Sequence, residues 1–427
     1  MQNDKPLFSE RYKAYVLFAL TGVYTLNFID RQILVILQES IKGELGLSDT
    51  QLGLLTGLSF ALFYVSLGIP IARFADRSNR KNIVSASLAI WSLMTAISGF
   101  AQNFMQLMLA RIGVGIGEAG GSPPSHSMIS DYFPPEKRAT ALSIYSVGIY
   151  IGILLGYIGG GLLDQSIGWR YTLMVLGLPG LVYALVILTT VKEPPRGYTD
   201  NSISDDAPDE SFRDVLGFLM KKKTFVFLAL GCGIHTISNY GVGNFYPSFL
   251  ARIHEMPSND IAIWIGLSAG IGGIIGTFSG GFLGDRLSKV DMRWYLWLAV
   301  VAELLNFLPH IGATFSPNTT IALICYFISA LLTAVYLGPC LAVTHSLVDA
   351  HKRALASAIL FLVLNLIGLG GGPLLVGAIS DYLSPTYGAE SLRYAFCVTF
   401  LTGAIALVLF YMAAKYYPDE KMQTDHD

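Results

Sequence analysis

Twelve runs of about twenty or more largely apolar residues occupy most of this chain, near 14–38, 51–73, 82–101, 104–128, 140–163, 171–191, 224–251, 260–283, 294–313, 320–346, 354–379 and 393–414. Each is long enough to cross a bilayer, where the backbone must satisfy its own hydrogen bonds. The expected fold class is therefore an all-α membrane protein with twelve transmembrane helices. Composition excludes an ordinary soluble globule, because 53% of the 427 residues are hydrophobic and only 14% are charged. The first run is too long for a signal-peptide core and lacks a small-residue cleavage site, so it reads as a retained span.

Several polar clusters between these runs are written twice in the same order, about half a chain apart. Asp76-Arg77 is echoed by Asp285-Arg286, Lys137-Arg138-Ala139 by Lys352-Arg353-Ala354, and Trp169-Arg170-Tyr171 by Leu392-Arg393-Tyr394. Duplication of a six-span unit is the simplest cause, and two homologous membrane halves point to a transporter with its site between them. The expected division is a first six-helix bundle at 1–191, a cytoplasmic linker at 192–223 and a second bundle at 224–427 that ends in a short cytoplasmic tail. Within the linker, Ser211 to Lys222 suits either a short interfacial helix or plain solvated chain.

Orientation follows from the cations. With the N-terminus inside, 22 of the 28 lysines and arginines fall on the inner side, and four, Lys42, Arg170, Arg252 and Arg393, on the outer side. That bias predicts cytoplasmic termini. Short loops and tails suggest a bacterial source, so a cytoplasmic (inner) membrane location is expected, and the Asn318-Thr319-Thr320 sequon carries no message there. The four cysteines all lie within apolar runs and read as small core residues rather than disulfide or metal ligands. No cofactor, metal or nucleic-acid partner is expected, and the chain is expected to act as a monomer.

Glycine is concentrated where helices must touch. The fifth run carries Gly148, Gly152, Gly156 and Gly160 at every fourth position, which lines one helix face with bare backbone. Static packing accounts for such a stripe, and so does an interface that moves.

Five ionisable residues sit well inside the runs: Asp30, Arg31, Arg111, Glu118 and Glu303. Each costs about 2.5 to 3.5 kcal/mol at a span centre unless paired or hydrated, which makes function the default reading. At about 1.5 Å per residue, Asp30 and Arg111 lie at matching depth, and Glu118 shares a helix face with Arg111 two turns nearer the cytoplasm. Asn27 and Arg31 share a face through their i,i+4 spacing. A carboxylate beside an arginine stays ionised, and one left alone in a low-dielectric cavity takes up a proton. Asp30, Glu118 and Arg111 are therefore the proton-coupling candidates, with a permanent buried ion pair and a direct anion-binding arginine as the alternatives. Glu303 reads as either a hydrogen-bonded packing residue or a coupling residue. Substrate-binding candidates are Tyr24, Asn27 and Arg31 in the first half, and His235, Asn239, Tyr240 and Tyr336 in the second. With Phe245, Tyr246 and Phe249, the second half offers an aromatic wall opposite a polar one, which suits an amphipathic anion.

The loop after the second run, Ala72-x3-Asp76-Arg77-x-Asn79-Arg80-Lys81, resembles the inner-loop signature of the major facilitator superfamily, with both signature glycines replaced. Leu107-x3-Arg111-x2-Val114-Gly115-x-Gly117 matches that family's second signature, and Gly152-x3-Gly156-Tyr157 resembles its antiporter signature with tyrosine in place of proline. The resemblance implies a fold of two six-helix bundles and alternating access. It also implies a conformational gate at Asp76, Arg77, Arg80, Asp285 and Arg286, with Asp76 facing the N-terminal end of the eleventh span. Asn27-Phe28-Ile29-Asp30-Arg31, Arg111 and Gly115-Ile116-Gly117-Glu118-Ala119 are similar to the spinster branch. Members of that branch are associated with sphingosine-1-phosphate and lysophospholipids, and the likeness carries functional roles to Asp30, Arg31, Arg111 and Glu118.

Two rival motifs fail on context. Gly266-Leu267-Ser268-Ala269-Gly270 fits a nucleophile elbow but lies mid-run, and Gly115 to Gly120 fits a dinucleotide fingerprint with no strand before it. The expectation is a proton-coupled transporter of an amphipathic anionic lipid, not an enzyme. A drug or organic-anion exporter of the same fold is the alternative, and a nontransporting receptor is a more distant one.

Overall fold

The computed structural model describes residues 7–199, 212–349 and 352–426, and no strand occurs among them. Spans one to six are built from α1 (Glu10–Ile36) followed by the short α2 (Gln38–Leu45), α3 (Asp49–Gly53) running into α4 (Ser59–Arg77), α5 (Arg80–Ser98), α6 (Phe104–Glu118) with α7 (Ser122–Tyr132), and α8 (Pro135–Thr190). After the linker come α9 (Phe212–Lys221), α10 (Lys223–Ile253), α11 (Ser258–Leu267) with α12 (Gly273–Leu287), α13 (Trp294–Phe315), α14 (Thr319–Thr333) with α15 (Leu337–Ser346), α16 (Arg353–Val363) with α17 (Gly371–Tyr387), and α18 (Ser391–His426).

Among the described residues, seven continuous helical runs are long and apolar enough to cross a bilayer, and α1 taken with α2 makes an eighth. Two of these runs, Pro135–Thr190 and Leu355–Met422, hold two spans each. With α5 and the α6–α7 pair, the twelve spans expected from the sequence are all helical. Gly168 splits α8 with φ 78° and ψ 160°, a conformation that glycine adopts without a Cβ penalty, and so separates the fifth span from the sixth. Asparagines cap the third, fourth and tenth spans: Asn79, Asn103 and Asn318 accept from the backbone N–H groups of Asn82, Gln106 and Ile321.

The duplication seen in the sequence reappears as matched irregularities. π-helical turns interrupt the second span at Leu54–Leu58 and the eighth at Ser268–Gly272. Helix α6 ends at Glu118 and α14 at Thr333, so the fourth and tenth spans are both broken at corresponding places. Extra or missing helical bonds of this kind recur at functional sites.

The chain forms two compact units. One takes residues up to Leu37 and from Phe63 into the linker, and the other takes Gln38–Leu62 with everything after the linker. In the first unit the glycine stripe of the fifth span packs on α1: a Cβ at Gly148, Gly152 or Gly160 would lie 2.8 Å from the Thr21 carbonyl oxygen, 2.5 Å from that of Thr25, or 2.6 Å from Ile36. In the second unit α3 and the π turn after it lie against α17, where a Cβ on Gly53 would come 2.3 Å from the Pro373 carbonyl oxygen. The helical alternative for the linker is the one adopted, and α9 buries Val215 and Leu219 with Phe225, Leu360 and Phe410.

Candidate functional site

In the first unit the intramembrane charges meet where the fourth span breaks. Glu118, the last residue of α6, is wholly buried, and its Oε2 accepts from Arg31 Nε at 2.7 Å. Asn27, one turn before Arg31, lies beside the same carboxyl group. Arg111 is buried two turns before Glu118, and its Nη1 approaches the Asp30 main-chain carbonyl oxygen at 3.4 Å. The Asp30 carboxyl is buried beside Thr95 and, among the described residues, closes no ion pair, so the pair formed is Arg31 with Glu118 rather than Asp30 with Arg111.

Aromatic rings surround this pair. The Arg31 guanidinium lies 5.0 Å from the Phe28 ring centroid and 4.9 Å from that of Tyr64. Tyr24 packs edge-on against Phe28 and stacks on Tyr145 at 4.4 Å, and His126 meets the edge of Tyr145. A cation flanked by an acid and by aromatic faces can exchange one anion for another while keeping its cation–π contacts. Tyr64, Tyr145 and His126 escaped the sequence reading. A polar residue on the broken fourth span and two tyrosines on glycine-containing spans were the available signal.

The second-half candidates divide. His235 is buried; its Nδ1 touches Glu303 Oε1 and its Nε2 lies 3.0 Å from the Thr333 carbonyl oxygen. The Tyr336 ring packs on the imidazole at 4.2 Å. Asn239 and Tyr240 are half-buried on the same helix. Phe245, Tyr246 and Phe249 do not form the wall expected of them. They are fully buried in the second unit, with Tyr246 stacked on Tyr326 and donating its hydroxyl to Ala313.

Of the residues expected to gate, Arg77 and Arg286 are exposed, Asp285 is exposed and accepts from the Tyr295 hydroxyl, and the Asp76 side chain lies outside the described residues. Arg80 is instead buried and tied down. It donates to Glu193 at 2.7 Å, to Ser127 at 2.8 Å, to the Pro194 carbonyl oxygen at 2.9 Å and to Asp131. Burial opposes its charge, and the contacts with Glu193 and Asp131 outweigh burial and raise its pKa.

An ion cluster where α2, α3, α10 and α17 meet in the second unit was not anticipated. Arg252 at the end of α10 makes paired hydrogen bonds to Glu39 and to Asp49, 2.7 to 2.9 Å long, and Lys42 and Ser380 also reach the Asp49 carboxylate. Asp381 accepts from the backbone N–H groups of Asp49 and Thr50 at 2.9 and 2.7 Å, capping α3.

Comparison with known proteins agrees with this architecture. The Major Facilitator Superfamily description matches residues 20–309 and 228–426. An MFS-type efflux pump of Mycolicibacterium smegmatis is 33% identical over 397 residues, 93% of this chain and 90% of that protein. A sphingosine-1-phosphate transporter of Danio rerio is 27% identical over 419 residues, covering 93% of this chain and 83% of its own length. The crystal structure of a bacterial homologue of the human lysosomal transporter spinster, inward-facing and unoccupied, superposes with a TM-score of 0.90 at 34% identity, covering 97% of this chain and 99% of that one. The duplicated six-span pattern, the buried charges on the first and fourth spans and these likenesses together establish that the chain belongs to the Major Facilitator Superfamily, as a multi-pass membrane transporter of the spinster type.

Proposed function

We propose that this protein is a proton-coupled secondary transporter of an amphipathic anionic lipid, of the lysophospholipid or sphingosine-1-phosphate class. It works by alternating access, as a monomer in the cytoplasmic (inner) membrane with both termini cytoplasmic. The observation that carries the reading is Arg31, whose guanidinium lies between the buried Glu118 carboxylate and the Phe28 and Tyr64 rings. A phosphate headgroup offers that guanidinium a second acid, and the rings beside it favour the start of an apolar chain. Sphingosine-1-phosphate, which the Danio rerio relative transports, belongs to the same chemical class. The inner-side excess of lysine and arginine supports the orientation.

Proton coupling follows from competition for one cation. When a headgroup takes Arg31, Glu118 loses its partner inside a fully buried setting, and an unpaired carboxylate in low dielectric binds a proton. When Glu118 is ionised, it occupies Arg31 and opposes anion binding. Anion and proton therefore favour each other's binding, with Arg111 and Asp30 as the neighbouring charges that set the balance. Flux of labelled lysophospholipid and sphingosine-1-phosphate in proteoliposomes, with and without a pH gradient, tests this. Gradient-driven flux is expected; flux indifferent to the gradient would leave a uniporter with a structural ion pair, and no flux would discard the lipid class.

A second reading, export of organic anions or drugs by the same cycle, is favoured by the efflux pump of Mycolicibacterium smegmatis. Gradient-driven flux of amphipathic drugs in the same vesicles, without lipid flux, would select it.

A further inference from the structure

The second unit holds a buried acid–base pair that the cycle above does not use. His235 on α10 and Glu303 on α13 meet through Nδ1 and Oε1, while His235 Nε2 lies 3.0 Å from the main-chain carbonyl oxygen of Thr333. A carbonyl can only accept, so Nε2 carries a hydrogen. The other contact joins an imidazole nitrogen to a carboxyl oxygen and requires one proton between them. Imidazolium with carboxylate and imidazole with carboxylic acid both satisfy it, and both are neutral as a pair. Without that proton two lone pairs face each other and the pair carries one negative charge in a buried setting, so the contact cannot persist.

We infer that His235 and Glu303 form a proton-binding site in the second half, separate from Arg31 and Glu118, whose loaded form fixes the break in the tenth span. Thr333 is the last residue of α14, and its carbonyl belongs to the set that a helix end leaves without an intrahelical partner. Helix resumes only at Leu337. His235 thus ties the seventh span to the break in the tenth as Arg31 ties the first to the break in the fourth, where Glu118 ends α6. The two sites occupy corresponding places in the duplicated halves.

Among the described residues, Glu303 is the one charged group acting on His235. Cys232 and Tyr240 face the site from α10, Tyr336 and Cys340 from the tenth span, and Phe410 from α18. Gly403 of α18 approaches Glu303 so closely that a Cβ there would lie 3.4 Å from Oε2. Among the described residues, the one ion pair of Glu303 is with His235. A small gap beside the pair is also lined by Asn306, whose buried Oδ1 has no hydrogen-bond partner; it is too tight to hold a water, so proton exchange with the pair requires the surrounding helices to part.

The test uses the full chain in nanodiscs without substrate, so it reads this site and not lipid flux. With ¹⁵N-histidine labelling, the His235 signals are identified by their loss in H235Q. The expected result is an Nε2 that stays protonated across the pH range and an Nδ1 that loses its shared proton only as pH rises, together with a melting temperature that falls over the same interval. In E303Q the amide can donate to Nδ1 and mimic the loaded form without titrating, so the melting temperature should match wild type at low pH and lose that alkaline decline. An unprotonated Nε2, or a wild-type pH profile identical to that of E303Q, would overturn the assignment.

Discussion

Arg31 and Glu118 are joined at 2.7 Å across the first and fourth spans, at the residue where the fourth span stops being helical. Glu118 is entirely buried and the Arg31 side chain is 15% exposed, so the two partners are not equivalent. The arginine can be reached by a competing anion, and the acid can respond only by changing protonation. In the proposed cycle this asymmetry is what lets the pair couple anion binding to protonation.

Glu118→Gln removes the titration and keeps an amide oxygen able to accept from Arg31. Substrate exchange between equal pH compartments should survive, and uphill accumulation driven by a pH gradient should be lost. Glu118→Ala strands the guanidinium and should destabilise the fold by about 3 kcal/mol. Comparing gradient-driven with exchange flux for each variant, alongside thermal unfolding, checks both. Undiminished uphill transport in Glu118→Gln would move the coupling proton elsewhere.

Arg31→Lys keeps a positive charge but loses the planar guanidinium that lies against Phe28 and Tyr64. Headgroup affinity should fall roughly tenfold, corresponding to about 1.4 kcal/mol, within the range of a desolvated cation–π contact. Tyr64→Ala should reproduce part of that loss with the Arg31–Glu118 pair intact. Equilibrium binding of a fluorescent lysophospholipid measures both, and equal affinity in all three proteins would remove the aromatic rings from recognition.

The twelve spans and the candidate charges were legible because lipid makes both costly to disguise: an apolar run of sufficient length has one outcome, and a buried charge demands a partner. Which partner was not legible. Asp30 and Arg31 are adjacent, so their side chains diverge around the helix, and the choice between them depends on helix rotation that spacing alone leaves open. His235 and Glu303 were visible separately, but nothing in their separation brings the seventh and ninth spans together. Phe245, Tyr246 and Phe249 misled because an aromatic residue in a span has the same composition whether it faces a cavity or a neighbouring helix. The pairing of Arg252 with Glu39 and Asp49 was not legible because charges at helix ends are ordinary.

The glycine stripe offers a paired comparison on one helix. A Cβ at Gly152 would lie 2.5 Å from the Thr25 carbonyl oxygen and 2.6 Å from the Phe28 Cβ, whereas a Cβ at Gly159 meets nothing within 4 Å. Gly152→Ala must push α1 away from α8 and should cost about 1 to 3 kcal/mol. Gly159→Ala should be neutral or stabilising by roughly 0.5 to 1 kcal/mol through helix propensity. Thermal unfolding in the same detergent distinguishes them, and equal melting temperatures would mean that the stripe is not in close contact in solution.

The cluster around Arg252 must open before α2 and the start of α3 can leave α10 and α17. Arg252 satisfies two carboxylates at once, and Asp49 is only 2% exposed, so Arg252→Ala leaves a buried acid with Lys42 as its remaining cation. The penalty should be about 3 kcal/mol, with Arg252→Lys intermediate because an ammonium cannot bind both acids in paired fashion. Asp381→Asn acts at the other side of the same cluster, weakening the acceptor for the Asp49 and Thr50 N–H groups at the start of α3. Hydrogen exchange followed by mass spectrometry should show faster exchange over residues 38–58 in both variants, with α5 and α13 unchanged. Faster exchange throughout the chain would indicate general destabilisation, and unchanged exchange over 38–58 would show that glycine packing of α3 on α17, rather than the ions, keeps those helix ends together.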